Sequence, residues 1–158
     1  MNNILIKAII LFLFVGITGC SYKPIFSEKN YGFEIEEVIL VGEKRINRII
    51  YNKLNFIKNK NDKGVRKFTV EIKSEKVKKI VSKDSKGDPL KFEMNISVNY
   101  QILSNGNVLL RNDIEKSNIY NNETDQFKLG QSEDIILENL TDNISDILIS
   151  SIINLNDN

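Results

Sequence analysis

The chain has 158 residues, with 22 Lys and Arg against 21 Asp and Glu, no histidine, no tryptophan and one cysteine, Cys20. That length suits one domain with a sizeable core, and the near-neutral balance gives no general bias toward nucleic acid. The missing histidine removes the common general base near neutral pH, His-based metal sites, and the Ser-His and Cys-His nucleophiles, so a non-enzyme with no metal and no cofactor is expected.

The chain opens MNNILIKAIILFLFVGITGC. Lys7, the apolar run from Ala8 to Val15, and the small residues Gly16, Thr18 and Gly19 follow the order of a secretory signal peptide. The run is shorter than the ~20 residues of a membrane-spanning helix. The alternative is a short N-terminal membrane anchor. Ile17-Thr18-Gly19-Cys20 resembles the bacterial lipobox, in which the cysteine thiol is acylated and the chain is cleaved before it. Cys20 is then a lipid-attachment point, and several acyl chains give stable anchoring. Ser21 stands where an Asp would resemble an inner-membrane retention signal, so an outer-membrane location facing the periplasm is expected. Removal of residues 1–19 leaves 139 residues. Residues 20–32, with Pro24 and Gly32, read as an extended tether, and residues 33–158 as a single domain.

FEIEEVILV (33–41) is a β-branched run ending at Gly42, expected to be a strand buried on both faces toward its end. In EKRINRIIYNKLNFI (43–57), Ile46, Ile49, Ile50, Leu54 and Ile57 recur at helical spacing. KNKNDKG (58–64) is a polar loop. VRKFTVEIKSEKVKKIVSK (65–83) begins as a strand with Phe68, Val70 and Ile72 on one face. Its alternation then weakens, so either a bulge shifts the register or the strand runs beyond the core. DSKGDP (84–89) is turn chemistry.

KFEMNISVNYQI (91–102) alternates cleanly. Phe92, Met94, Ile96, Val98, Tyr100 and Ile102 form one face, and Asn95, Ser97, Asn99 and Gln101 lie on the other, a half-buried strand. Asn105-Gly106 marks a hairpin, with VLLRNDIEKSNIY (108–120) returning. A final helix starts within 123–133 and runs to about Asn154, carrying Ile136, Leu137, Leu140, Ile144, Ile147, Leu148 and Ser151 as a stripe. The fold expected is α+β: a two-layer sandwich in which a four-stranded mixed sheet, in the order β-α-β-β-β-α, is covered on one face by two helices.

Charge is uneven. Residues 44–91 carry net +11 and residues 113–146 net −7. This is either a polarised surface or two faces that neutralise each other. The neighbouring carboxylates Glu36-Glu37 and Glu133-Asp134 point apart on a strand or helix, so neither pair shares a site.

CSYKPIF, GEKRINRIIYNKL, NISVNYQILSNGNVLL and Asn118-Ile119-Tyr120-Asn121 together resemble the LPS-assembly lipoprotein family LptE in its alphaproteobacterial form. The resemblance implies a four-stranded sheet with two helices. It also implies an outer-membrane lipoprotein that plugs the β-barrel protein LptD, binds lipopolysaccharide and assists its transport and insertion. A stand-alone periplasmic lipid or lipoprotein carrier, and a lipoprotein subunit of another outer-membrane assembly machine, are the alternatives. Phosphates favour clustered Lys and Arg. Lys73, Lys76, Lys78, Lys79, Lys83, Lys86 and Lys91 are therefore candidate lipopolysaccharide-binding residues, gathered at one end if the strand overshoots the core. A solubilising, edge-protecting lysine set is the alternative. Asn95, Ser97, Asn99 and Gln101 are candidate barrel contacts, because barrel interiors are polar.

Overall fold

The computed structural model describes residues 32–57 and 65–156; the expected signal peptide, Cys20, the expected tether as far as residue 31, the expected loop 58–64 and residues 157–158 lie outside the described residues. The elements are β1 (Phe33–Gly42), α1 (Lys44–Ile57), β2 (Arg66–Lys83), β3 (Pro89–Ser104), β4 (Asn107–Asn121) and α2 (Gln126–Asn156). They form an α+β fold around one four-stranded mixed sheet in the order β1-β2-β3-β4. β1 pairs parallel to β2, and the other two pairings are antiparallel. The parallel pair needs a crossover, and α1 supplies it.

The core lies between the sheet and the helices. Phe33, Ile35, Phe68, Val70, Ile72, Met94, Ile96, Val98, Tyr100 and Ile102 line the sheet side. Ile46, Ile50 and Leu54 of α1 and Leu137, Ile144, Leu148 and Ile152 of α2 close it. The rings of Phe33 and Phe68 pack at a tilt, 5.5 Å apart, where β1 and β2 begin. On the central strand β3, Tyr100 keeps its ring in the core and donates its hydroxyl to Ser151 Oγ at 2.9 Å. The Asn105-Gly106 turn has φ of 51° and 79°, the pair of positive values that a tight hairpin of primed type requires.

β1 departs from its sequence reading. A register shift between Ile35 and Glu37 turns Val38 and Leu40 toward the helices and Ile39 and Val41 outward. Ile39 is 40% and Val41 57% exposed, so β1 is buried on one face only. The reason is topological: β1 sits at the edge of the sheet, and both helices lie on the other side. In α2, Ile147 leaves the expected stripe and is 38% exposed, while Thr141 and Ser145 are buried and bond to carbonyls one turn back. The start of α2 settles at Gln126, capped by Asp125, whose Oδ1 accepts from the amides of Phe127 and Lys128.

The chain is closely packed at the β1–α1 corner. Gly42 has φ of +104°, and a Cβ there would sit 1.9 Å from the carbonyl oxygen of Ser74. The Glu43 amide donates to Ser74 Oγ at 3.0 Å, and the Ser74 hydroxyl donates to Asn47 Oδ1 at 2.7 Å. Glu43 Oε2 accepts from the Ile46 amide at 2.7 Å and caps α1. Gly42→Ala is expected to cost at least ~3 kcal/mol, since left-handed strain and a backbone clash act together. Gly130→Ala, inside α2 with open space around it, is expected to gain up to ~1 kcal/mol instead. Urea unfolding of the two variants checks the contrast.

Candidate functional site

Two surfaces remain once the helices have covered their side of the sheet. One is the outer sheet face; the other is the far end of the β2–β3 hairpin.

Ser74 is the last buried residue of β2, and nine more residues follow before the strand ends. The pairing with β3 continues without a shift through Ile80, so the strand runs beyond the core, and the irregularity comes only at Ile80–Lys83. The hairpin closes through Asp84, whose Oδ1 accepts from the amides of Lys86 and Asp88 at 2.9 and 2.8 Å. Exposed apolar side chains crown this end: Ile80, Val81, Leu90, Ile119 and, most of all, Phe127 at 73%.

Strand alternation divides the candidate lysines. Lys73 stands opposite Asn99 and Lys79 opposite Glu93, both on the outer face. Lys76 and Lys78 stand opposite Ile96 and Met94 on the helix side. Lys83, Lys86 and Lys91 cluster at the hairpin end, within the two strand ends and the turn they join. Ten residues separate Lys73 from Lys83, about 33 Å of strand, so Lys73 does not belong to the tip.

Lys78 is committed elsewhere. Its Nζ pairs with Glu133 Oε1 at 2.6 Å and lies 4.0 Å from the centre of the Phe92 ring. Tyr120 donates its hydroxyl to the same Glu133 oxygen at 2.8 Å, and its ring packs 5.8 Å from Phe92. These four side chains fasten α2 to the overshooting hairpin. Burial, reinforced by the Glu133 carboxylate, pushes the Tyr120 phenol well above the ordinary tyrosine range. Lys73, Lys76, Lys79, Lys83, Lys86 and Lys91 form no ion pair with a described residue.

Four of the acidic residues are neutralised between the helices. Asp134, Glu138, Asp142 and Asp146 recur every four residues along α2 and face α1. Arg45 pairs with Asp134 and Glu138. Lys53 pairs with Asp142 at 3.2 Å and Asp146 at 2.9 Å. The hydrogen bond to Asp134 chiefly raises the Arg45 pKa. Burial lowers that of Lys53, but the bonds to Asp146 and Asp142 more than reverse this. Such half-exposed pairs contribute about 0–1 kcal/mol each and mainly set how the helices align. Glu133 and Asp134 do point apart, one to the hairpin and the other to α1.

On the outer face, three of the four candidate barrel contacts are already tied sideways. Asn95 donates to Glu115, Asn99 to Asp113 and Gln101 to Glu71, while Arg111 donates to Gln101 Oε1 at 2.8 Å. Ser97 stands opposite Glu75 and Glu115. The face is thus a carpet of amides and charges with Ile39 and Val41 at its β1 margin, lining a shallow cavity of about 340 Å³ with Lys73, Asn99 and Arg111. The sequence reading missed this apolar margin, because a β-branched run does not tell an edge strand from a central one.

Among the described residues no group of three or more His, Cys, Asp or Glu is placed to hold a metal, and no helix is long and apolar enough to cross a membrane. In a spectrophotometric titration, Tyr120→Phe is expected to remove the phenolate step of highest pH. Because the folded pKa is raised, the phenol stabilises the fold below pH ~10, and that contribution fades at higher pH. Alkaline melts of the same variant should lose less stability than the parent above that point.

No family model and no curated protein matches the chain. Solved structures do match its fold. The rare lipoprotein B of Shewanella oneidensis is 13% identical with a TM-score of 0.55, over 73% of this chain and 92% of that one. A minor lipoprotein of Acinetobacter baumannii gives 13% and 0.55 over 77% and 92%. A putative lipoprotein of Caulobacter crescentus gives 12% and 0.55 over 78% and 89%. The chain therefore has the fold seen in these bacterial lipoproteins.

Proposed function

We propose that this chain is a lipid-anchored outer-membrane protein that assembles with a β-barrel of the LptD type and assists lipopolysaccharide transport and insertion. The observation that carries the reading is a coincidence of two independent features. A lipobox-like Ile17-Thr18-Gly19-Cys20 precedes a domain whose fold is shared with solved bacterial lipoproteins. The family resemblance in CSYKPIF, in the first helix and in the β3–β4 hairpin adds the barrel and the ligand.

The dimensions suit a plug. β2 alone spans 18 residues, about 59 Å of strand, more than the ~40–45 Å of a bilayer with its headgroups. Upright in a lumen, the domain reaches through. Its outer sheet face is polar, as a barrel interior is. The far end offers free lysines beside exposed apolar side chains, the two chemistries of a phosphorylated, acylated glycolipid.

Three experiments test the proposal. Lipidated protein drawn from outer membranes should bring the LptD barrel with it; recovery of another barrel, or of none, overturns the partner. Cys20→Ser should abolish the lipid mass shift and release the protein from the outer-membrane fraction. For the ligand, Lys79, Lys83, Lys86 and Lys91→Gln removes four charges at under ~0.5 kcal/mol of stability each. Lipopolysaccharide binding should weaken roughly tenfold at low salt, with a flatter salt response, while Lys73→Gln leaves it unchanged. Equal binding by the quadruple variant reduces these lysines to solvated charges.

A further inference from the structure

α2 crosses the sheet obliquely. Near its start Glu133 reaches Tyr120 of β4, whereas near its end Arg66 of β2 donates to the Leu155 carbonyl at 2.9 Å. The second half of α2 therefore draws away from β4 and leaves a groove of about 440 Å³ between them. Lys116 of β4 forms one wall, and Asn143, Asp146, Ile147, Ser150, Ser151 and Asn154 of α2 form the other. Ile147, 38% exposed, is an aliphatic side chain that no element of the described fold covers.

We propose that this groove is the seat of residues 21–31, the arm between the lipid-attachment cysteine and β1. Three observations converge on that occupant. The arm joins the described fold at Gly32, and Gly32 abuts the end of α2: a Cβ built on it would lie 3.3 Å from Asn156 Nδ2. Asn154, half a turn earlier, already lines the groove, so the arm enters the fold at the groove's open end. The length fits as well. Asn143 to Asn154 is eleven helical residues, about 16 Å, which five extended residues cover. The arm has eleven, enough to round the end of α2 and then follow the groove.

Composition is the third point. A solvated linker is rich in Gly, Ser and charge. SYKPIFSEKNY instead carries Tyr22, Pro24, Ile25, Phe26 and Tyr31, apolar bulk that gains from cover. Seated this way, the arm is a strap that holds the lipid close to the domain, not a leash of up to ~40 Å.

Thiol cross-linking tests the seat in the mature chain with Cys20→Ser, so that only introduced thiols react. Phe26→Cys is combined with Ser150→Cys in the groove or with Glu115→Cys on the outer face of β4. An unattached arm reaches both. A seated arm should give an intramolecular cross-link at least fivefold faster to position 150. Adding Ile147→Asp should bring that rate down to the outer-face value while circular dichroism still reports a cooperative melt. A second pair, Tyr22→Cys with Asn143→Cys, reads the far end of the groove and serves if the first does not fold. Equal rates at the two positions overturn the proposal. Products that join two copies also overturn it, since they give the groove to another molecule's arm.

Discussion

The contact between Gly42 and Ser74 is the constraint on which the remaining geometry depends. A backbone can approach a neighbouring strand this closely only without a Cβ. That approach fixes where β1 ends against β2 and where the chain turns out of the sheet. Glu43 then caps α1 at once, and Ser74 hands its hydroxyl to Asn47 in the helix's first turn. With its entry fixed, α1 presents Ile46, Ile50 and Leu54 to the sheet and Arg45 and Lys53 to α2. Ser74 also marks where β1 ends and where β2 stops contributing buried side chains. From that residue onward β2 is the free edge of a three-stranded extension with β3 and β4, braced by the first turns of α2 through Glu133.

Local signals carried the element order a long way. Alternation in β3 is unbroken from Phe92 to Ile102, helical spacing in α1 is regular, and Asn105-Gly106 has a single common use. These are properties of neighbouring residues, so one chain displays them. Ser74 was harder. A polar residue in an inward register leaves a bulge and an overshooting strand both open, because its partners Glu43 and Asn47 lie some thirty residues earlier. Ile39 and Val41 belong to the same class: their exposure follows from β1 being an edge, which depends on strand order.

The candidate surfaces were legible in kind and not in grouping. Seven lysines between 73 and 91 stood out as a run. In the folded molecule alternation sends them to both sides of the sheet, and Lys78 meets an acid 55 residues further on. The outer-face amides were legible as a polar stripe, yet their carboxylate neighbours come from two other strands. The opposed charges of the two segments were visible too. Their resolution into the Arg45 and Lys53 pairs needed the helices side by side.

One feature reaches across the whole molecule. α2 is a single helix of 31 residues, about 46 Å long, with Glu133 fastened to the hairpin arm and Asn156 beside Gly32, where the chain leads into β1. Among the described residues no joint interrupts it. A pull on the chain ahead of Gly32 is thus not absorbed along the way. It tilts the body as one beam, and the lysine-bearing end swings by an amount set by the beam's length.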